Sequence, residues 1–504
     1  MTVRVTTVAF EGLHVREVDV QIHFASGLPS FSVVGLPDKA VAESRERVRS
    51  ALHSLGASLP AARVTVNLSP ADIVKEGSHY DLPILLGILV ELGAIPSDAL
   101  DRYVAMGEVA LDAGVCRSSG VLPAALYAAQ ENRGIICPEA NGREAAFSGN
   151  DDVLAASSAL QLVRHFKGSQ IMAKASASTA PSESDDVGAP DLSDVKGQEG
   201  AKRALEIAAA GRHNLLLSGP PGAGKSMLAA RLPGILPPMT PKEMLETGMI
   251  ASVSGAVAER AMRRRPFRAP HHSCSMPAMV GGGRNAMPGE ITLAHNGVLF
   301  LDELPEFPRN VLDALRQPLE TGNVTVSRVN RHVTYPASIQ LIAAMNPCRC
   351  GYIDDPDRQC RKAPRCGEEY QERISGPLYD RIDMYLDVSE IPPDKLRKEE
   401  SAGERSAEVL ARVVCAREIQ AERYRGLPYA VNAHAQGEAL DALMRPEPEA
   451  LKTLEGAYHA LKLSMRGYYR TMRVARTIAD LEGSASVRRV HALEALGYRR
   501  TKAK

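Results

Sequence analysis

The chain has 504 residues, 44% of them apolar and 24% charged, which fits an ordinary globular protein with length for about three domains at roughly 100–200 residues each. Sixty basic side chains balance sixty acidic ones, so a nucleic-acid site has to be a local patch and not a field of the whole molecule. The longest apolar run, Leu82 to Val90, is too short for a bilayer; the N-terminus lacks the form of a signal peptide; eight cysteines are too sparse for a disulfide scaffold.

A cytoplasmic protein without a membrane partner is expected. The absence of tryptophan, with 4% aromatics overall, argues against base stacking as the main recognition mode.

Taken in order, Thr2 to Phe10 and His14 to Phe24 alternate like half-buried strands. Asp38 can cap a helix through AVAESRERVRSALHSLG that stops at Gly56. Arg63 to Leu68 reads as a strand and Leu82 to Leu92 as a helix, giving a mixed α/β domain over 1–167. Residues 168–190, small, polar and acidic, read as a linker. From 191 to 391, Asn214 to Leu217, Gly297 to Leu301 and Ile339 to Ala344 are apolar runs of the buried parallel-strand type. Helical segments separate them, which predicts a doubly wound α/β sheet with nucleotide at its strand ends. Residues 392–504 read as a helical domain, and 461–504 carry eleven Lys/Arg against three Asp/Glu.

The chemistry begins at Gly219, Pro220, Pro221, Gly222, Ala223, Gly224, Lys225 and Ser226, a complete phosphate-loop pattern between a strand and a helix. Glycines let backbone N–H groups wrap the phosphates of ATP, Lys225 reaches the β- and γ-phosphates, and Ser226 ligates Mg²⁺. The run VLFL then delivers Asp302 to the Mg²⁺ shell and Glu303 to the attacking water. Asn346, ending AAMNP, is placed to orient that water; a turn-forming asparagine before Pro347 is the plainer alternative.

The order of phosphate loop, LFLDE, AAMNP and then Arg381 in GPLYDRID is similar to that of AAA+ ATPases. More narrowly, RPFRAPHH, GEITLAHNGVLFLDELPEF, MRVARTIADL, FSVVGLPDKAVAESRERVRSAL and VNLSPADIVKEGSHYDLPILLGIL resemble the magnesium-chelatase-like ComM/YifB family. The resemblance implies a homo-oligomeric ring, a hexamer, acting on DNA as a branch-migration helicase in natural transformation. It places Arg381 at the arginine-finger position that completes a neighbour's site, with Arg373 as a second candidate, and Arg466 as the sensor arginine of the helical lid. A guanidinium reaching in from a neighbour can neutralise charge developing on the γ-phosphate.

In related ring helicases the hairpin before the sensor asparagine enters the pore. Here Val324 to Pro336 reads as such a hairpin, with Arg328, Arg331 and His332 near its tip to hold a phosphate backbone without reading sequence; a solvated hairpin is the alternative. His271 and His272 are expected to be structural or part of a pore loop. Cys348, Cys350, Cys360 and Cys366 cluster between 348 and 366, in a stretch with little core of its own, and suggest a Cys₄ zinc loop. Reduced, unliganded thiols are the alternative.

The resemblance also implies a Lon-protease-like, ribosomal-S5-like fold for 1–167. Ser78 lies in EGSHYD, and no lysine occurs between Lys75 and Lys167, so a Ser–Lys dyad has no downstream base and the domain is expected to be non-proteolytic. Two other functions stay open: a chelatase motor driving metal insertion into a porphyrin, and a protein remodeller.

Overall fold

The alternation at the N-terminus folds as two antiparallel strands, β1 (Val3–Glu11) and β2 (His14–Ala25), in register from Val3 opposite Ile22 to Glu11 opposite His14. Val18, Val20 and Ile22 are fully buried, every second residue of β2, as the pleat requires. Next come β3 (Ser30–Val34), β4 (Arg63–Ser69) and β5 (Tyr103–Ala105), then a short ribbon of β6 (Glu108–Val109) and β7 (Val115–Cys116), then β8 (Gly134–Pro138) and β9 (Val153–Ala156). Seven of these form one mixed sheet in the order β3-β4-β2-β1-β5-β8-β9. Asp38 caps the helix Lys39–Ser54 as expected, its carboxylate accepting the Val41 N–H at 2.8 Å. The apolar run that could not span a bilayer is a core helix, Asp81–Glu91, buried along almost its whole length.

The computed structural model describes residues 2–176, 190–283, 286–328, 331–353, 362–391, 403–436, 440 and 444–499, and the chain divides into two units. The first is 1–182 together with 241–263; the second is 183–240 together with 264–504. The helices Pro241–Val253 and Ala258–Arg263 follow the phosphate loop in sequence yet fold within the first unit. There Ser252 accepts the Gly120 N–H on its carbonyl at 3.0 Å and the Leu122 N–H on its hydroxyl at 3.2 Å, while Ala258 and Met262 bury against Leu122. Of the stretch expected as a linker, 177–189 lies outside the described residues; before it, Met172 is buried and Ala175 donates to the Val153 carbonyl at 3.0 Å.

In the second unit, β10 (Leu215–Ser218) and β11 (Phe267–Arg268) are followed by a ribbon of β12 (Gly281–Gly282) and β13 (Met287–Pro288), then β14 (Val298–Leu301). A second ribbon pairs β15 (Asn323–Arg328) with β16 (Arg331–Pro336), before β17 (Gln340–Met345) and β18 (Met384–Asp387). The main sheet is parallel throughout, in the order β11-β14-β17-β10-β18. Leu215, Leu217, Val298, Phe300, Ile342 and Ala344 bury in one core with the helix Glu199–Gly211, because strands covered on both faces need continuous apolar sequence. The helices Ser406–Arg423, Pro448–Ala460, Met465–Leu481 and Arg489–Gly497 join that core. No described helix is long and apolar enough to cross a membrane.

Candidate nucleotide site

Register brings the chemistry together. Ser218 at the end of β10 pairs with Met345 at the end of β17, so the phosphate loop and Asn346 leave the sheet side by side, and Gly219 donates to the Met345 carbonyl at 3.3 Å. β14 pairs with β17 on its other side and ends one residue before Asp302. This is the crevice at the carboxyl ends of parallel strands where ligands of such sheets bind. Gly224, at φ +86, makes the left-handed turn that starts the helix Lys225–Arg231, a conformation costly for any residue with a Cβ.

Lys225 is 8% exposed, and its Nζ donates to the Gly219 carbonyl at 2.7 Å, the Pro220 carbonyl at 2.8 Å and Asn346 Oδ1 at 3.1 Å. Burial lowers its pKa, against the charges of Asp302 and Glu303 that raise it. Ser226 Oγ donates to Asp302 Oδ2 at 2.6 Å, so the hydroxyl and carboxylate suited to one magnesium ion already touch. Glu303 has φ +51, its N–H donates to Asp302 Oδ1 at 2.9 Å, and its Oε2 lies 3.2 Å from His272 Nδ1. The residues suit Mg²⁺–ATP: a hard-oxygen pair, a lysine at the loop and an acid beside them. His272 was not legible as a neighbour of Glu303, because the two come from different strand ends.

The arginines are arranged less simply than their motifs suggest. Arg381 is buried, donates to the Pro377 carbonyl at 2.7 Å and is ion-paired with Glu320. Arg466, exposed at the start of the helix Met465–Leu481, reaches the same carboxylate at 3.6 Å. Glu320 is thus held below the usual carboxylate range, chiefly by its hydrogen bond from Arg381. Arg373 pairs with Glu306 at 2.8 Å. Nothing in the sequence marked Glu320 as the acid that gathers both arginines.

The β15–β16 ribbon has an inner face of Val324, Val326, Val333 and Tyr335, all buried, with Tyr335 donating to the Ala286 carbonyl at 3.0 Å. Arg328 and Arg331 sit opposite each other at its tip; their side chains lie outside the described residues. His332 is exposed, with Nδ1 3.0 Å from Ser327 Oγ.

After Asn346 the chain turns through Cys348 and Cys350, whose sulfurs are 3.1 Å apart, and the Sγ atoms of Cys348, Cys350 and Cys366 lie within 4.8 Å of one another. Cys360 lies outside the described residues. The turn rests on the phosphate loop: a Cβ at Gly351 would stand 2.4 Å from Pro221 Cδ. In the first unit, Ser78 Oγ donates to Glu108, while the buried Lys75 amine donates to the Pro70 carbonyl.

A parallel sheet with a phosphate loop, paired acids and a polar asparagine at adjacent strand ends, continued by a bundle of helices, defines an AAA+ nucleotide-binding module of the magnesium-chelatase type. Family models agree along the chain: magnesium chelatase, subunit ChlI, at 191–396; subunit ChlI of Mg-chelatase at 20–141; and the ChlI C-terminal region at 403–499. The chain belongs to the magnesium-chelatase-like ComM/YifB family. It is 43% identical over 491 residues to competence protein ComM of Haemophilus influenzae, covering 97% of this chain and 95% of that one. It is 42% identical over 496 residues to the uncharacterized protein YifB of Escherichia coli, covering 98% and 96%. An uncharacterized protein of Mycobacterium tuberculosis is 40% identical over 507 residues, 99% of each chain.

Proposed function

We propose that this chain is an ATP-hydrolysing, ring-forming motor that acts on DNA, a hexameric helicase promoting branch migration during transformation and recombination. The observation that carries the ATPase half is the joined set Lys225–Asn346 and Ser226–Asp302, with Glu303 beside it. Loop N–H groups and Lys225 hold the phosphates; Ser226 and Asp302 would hold Mg²⁺, which would supply neutralisation of phosphate charge. Glu303 takes the proton of the attacking water as oxygen bonds to the γ-phosphorus. The bond to the bridging oxygen breaks, and ADP and phosphate leave. Arg381 completes a neighbour's site by exchanging Glu320 for the γ-phosphate, and Arg466 senses nucleotide from the lid.

The DNA half is supported by likeness to a competence protein and by an anchored hairpin whose tip carries Arg328, Arg331 and His332. Such cations contact phosphates, so binding is sequence-independent and salt-sensitive. The first unit serves assembly or DNA contact and is non-proteolytic, with Ser78 and Lys75 each engaged elsewhere. Cys348, Cys350, Cys360 and Cys366 would hold a zinc ion as four thiolates, a reading supported by the mutual distances of Cys348, Cys350 and Cys366. Burial, with the neighbouring Cys350 thiol, pushes the Cys348 thiol up to about 11, and a bound metal holds such sulfurs as thiolates. Elemental analysis should then find about one zinc per chain; a fully folded, metal-free preparation sinks that assignment.

The deciding experiment is the steady-state ATPase rate without DNA and with single-stranded DNA, duplex or a four-way junction, at two salt concentrations. Strong stimulation that fades with salt is expected. A rate indifferent to every DNA favours the second reading, a chelatase-like or protein-remodelling motor, to which the ChlI family models also point.

A further inference from the structure

The segment that carries Arg381 is gripped at its root by two elements. The Arg381 carbonyl accepts the Asn214 side-chain amide at 3.0 Å and an Arg470 guanidinium nitrogen at 3.1 Å. The same Arg470 nitrogen is ion-paired with Asp383, whose other carboxylate oxygen accepts the Asn214 backbone N–H at 2.8 Å. Asn214 belongs to the sheet: it stands just before β10, and its side-chain oxygen accepts the Leu341 N–H of β17 at 2.9 Å. Arg470 belongs to the helix Met465–Leu481. Sheet and helix therefore hold the same two residues, on either side of the buried Ile382. Asp383 is 3% exposed; burial alone would raise its pKa, and the charges of Arg470 and His213 hold it below the ordinary carboxylate range.

The tip of the Arg381 side chain is held in another way. Its two terminal nitrogens are engaged by the Pro377 carbonyl and by Glu320, while its Nε is buried with no partner. Glu320 is half exposed. A root fixed through its backbone and a tip held by one open carboxylate suit a side chain that swings about a set origin. Arg466, one turn before Arg470 on the same helix face, reaches Glu320 at 3.6 Å. The helix thus meets Arg381 at both ends, directly at the root and through the acid at the tip.

We propose that Arg470 is a positioning residue for the finger: it ties the Arg381 backbone to the helix Met465–Leu481, so that this helix sets where Arg381 is presented to a neighbouring subunit. A shift of the helix carries the finger root with it. Because β18 runs parallel to β10, that root lies at the end of the sheet opposite the phosphate loop. Loss of the tie should then be felt in the neighbour's turnover, while the subunit that lost it keeps a sound loop of its own. The proposal rests on the reading of Arg381 as a finger that acts across an interface.

The test is ATP turnover by the full chain and by mixtures of subunits. Arg470→Met removes the donor and keeps the apolar stem. Arg470→Met with Asp383→Asn also removes the carboxylate left uncompensated, so one of the two variants keeps its buried charge balanced. Binding of a fluorescent ATP analogue checks the loop in each. Turnover should fall roughly ten- to a hundredfold with KM for ATP unchanged, the scale of a catalytic group misplaced by about an ångström. Mixed with Lys225→Ala subunits, either variant should regain part of the wild-type rate, since the fingers of Lys225→Ala serve its loops. Mixed with Arg381→Ala subunits it should regain nothing, since neither supplies a sound finger. A merely structural defect does not sort in this way. Provided Arg381→Ala and Lys225→Ala restore each other, three results overturn the tie and leave the finger reading standing: recovery with Arg381→Ala, recovery with neither partner, or wild-type turnover in both variants. Loss of analogue binding in both variants overturns it too. If Arg381→Ala and Lys225→Ala fail to restore each other, the finger reading falls and the tie falls with it.

Discussion

Lys225 donates to two loop carbonyls and to Asn346, so its amine is fixed at the mouth of the phosphate loop by bonds that phosphate oxygens can replace. No other residue in the loop carries a positive charge, and Lys225→Ala is expected to remove ATP turnover altogether, read as phosphate release; retained turnover would refute the site. Glu303→Gln separates binding from chemistry, because the amide keeps the shape but cannot take a proton. It should retain ATP binding while turnover falls by about 10²- to 10⁴-fold, the usual contribution of a positioned base. A third residue, His213, tests the packing beneath the site. Fully buried, with Nε2 2.7 Å from Thr477 Oγ1, it has its pKa pushed down to about 4, first by burial and then by Arg473, Arg417 and Arg470, against the opposing charge of Asp383. Unfolded chain takes up a proton near pH 6.5 that the folded chain refuses until about 4. Stability is therefore full above pH 6.5 and falls as pH drops toward 4, by up to about 1.4 kcal/mol per pH unit. Urea titrations at stepped pH should show this slope, and His213→Gln should reduce it, leaving the share of His434, whose pKa burial pushes down to about 3.

The secondary elements that carry these residues were largely readable, and the reason is periodicity. β1, β2 and β4 alternate, β10, β14 and β17 are apolar throughout, and the cap at Asp38 and the hairpin across 323–336 announce themselves locally. What local pattern does not hold is the polar network that joins the last helices. Asp480 is fully buried, pairs with Arg423 and with Arg476 at 3.0 Å, and accepts from the Asn432 amide at 2.8 Å. Asn432 in turn accepts from the Tyr424 hydroxyl at 2.7 Å and donates to Thr477 at 3.0 Å. Arg423 and Asp480 belong to different helices, and only the folded crossing brings them together. Removing the shared acid leaves two buried guanidiniums uncompensated. Asp480→Ala should therefore cost about 3–5 kcal/mol of unfolding free energy, measured by chemical denaturation, whereas Arg423→Met, Arg476→Met and Asp480→Leu together should cost less. A triple variant as unstable as the single one would show that the ion pairs themselves, and not their imbalance, hold the helices.

For the molecule as a whole, the sequence motifs placed the phosphate loop, the two acids and Asn346 at one end of the sheet, but not the company those residues keep. Phosphate loop, acids and asparagine were legible because each follows an apolar strand, and a parallel sheet has only one end at which to present them. Arg381 and Arg466 were legible as residues but not as partners: their convergence on Glu320 depends on how the helix Met465–Leu481 closes over the sheet module. That convergence sharpens the test of ring assembly. On the proposed reading, an arginine neutralised by Glu320 within its own subunit would be catalytically silent there, and would act only when a neighbour's γ-phosphate competes for it. Arg381→Ala subunits would then keep an intact phosphate loop but present no finger. Lys225→Ala subunits would present a finger but hold no ATP. Each alone should be inactive, while equimolar mixtures should recover part of the wild-type ATPase rate, since some interfaces pair a sound loop with a sound finger. Recovery that grows with protein concentration would tie it to assembly. Two inactive variants whose mixtures stay inactive, although size measurements show mixed oligomers, would place Arg381 in the site of its own chain.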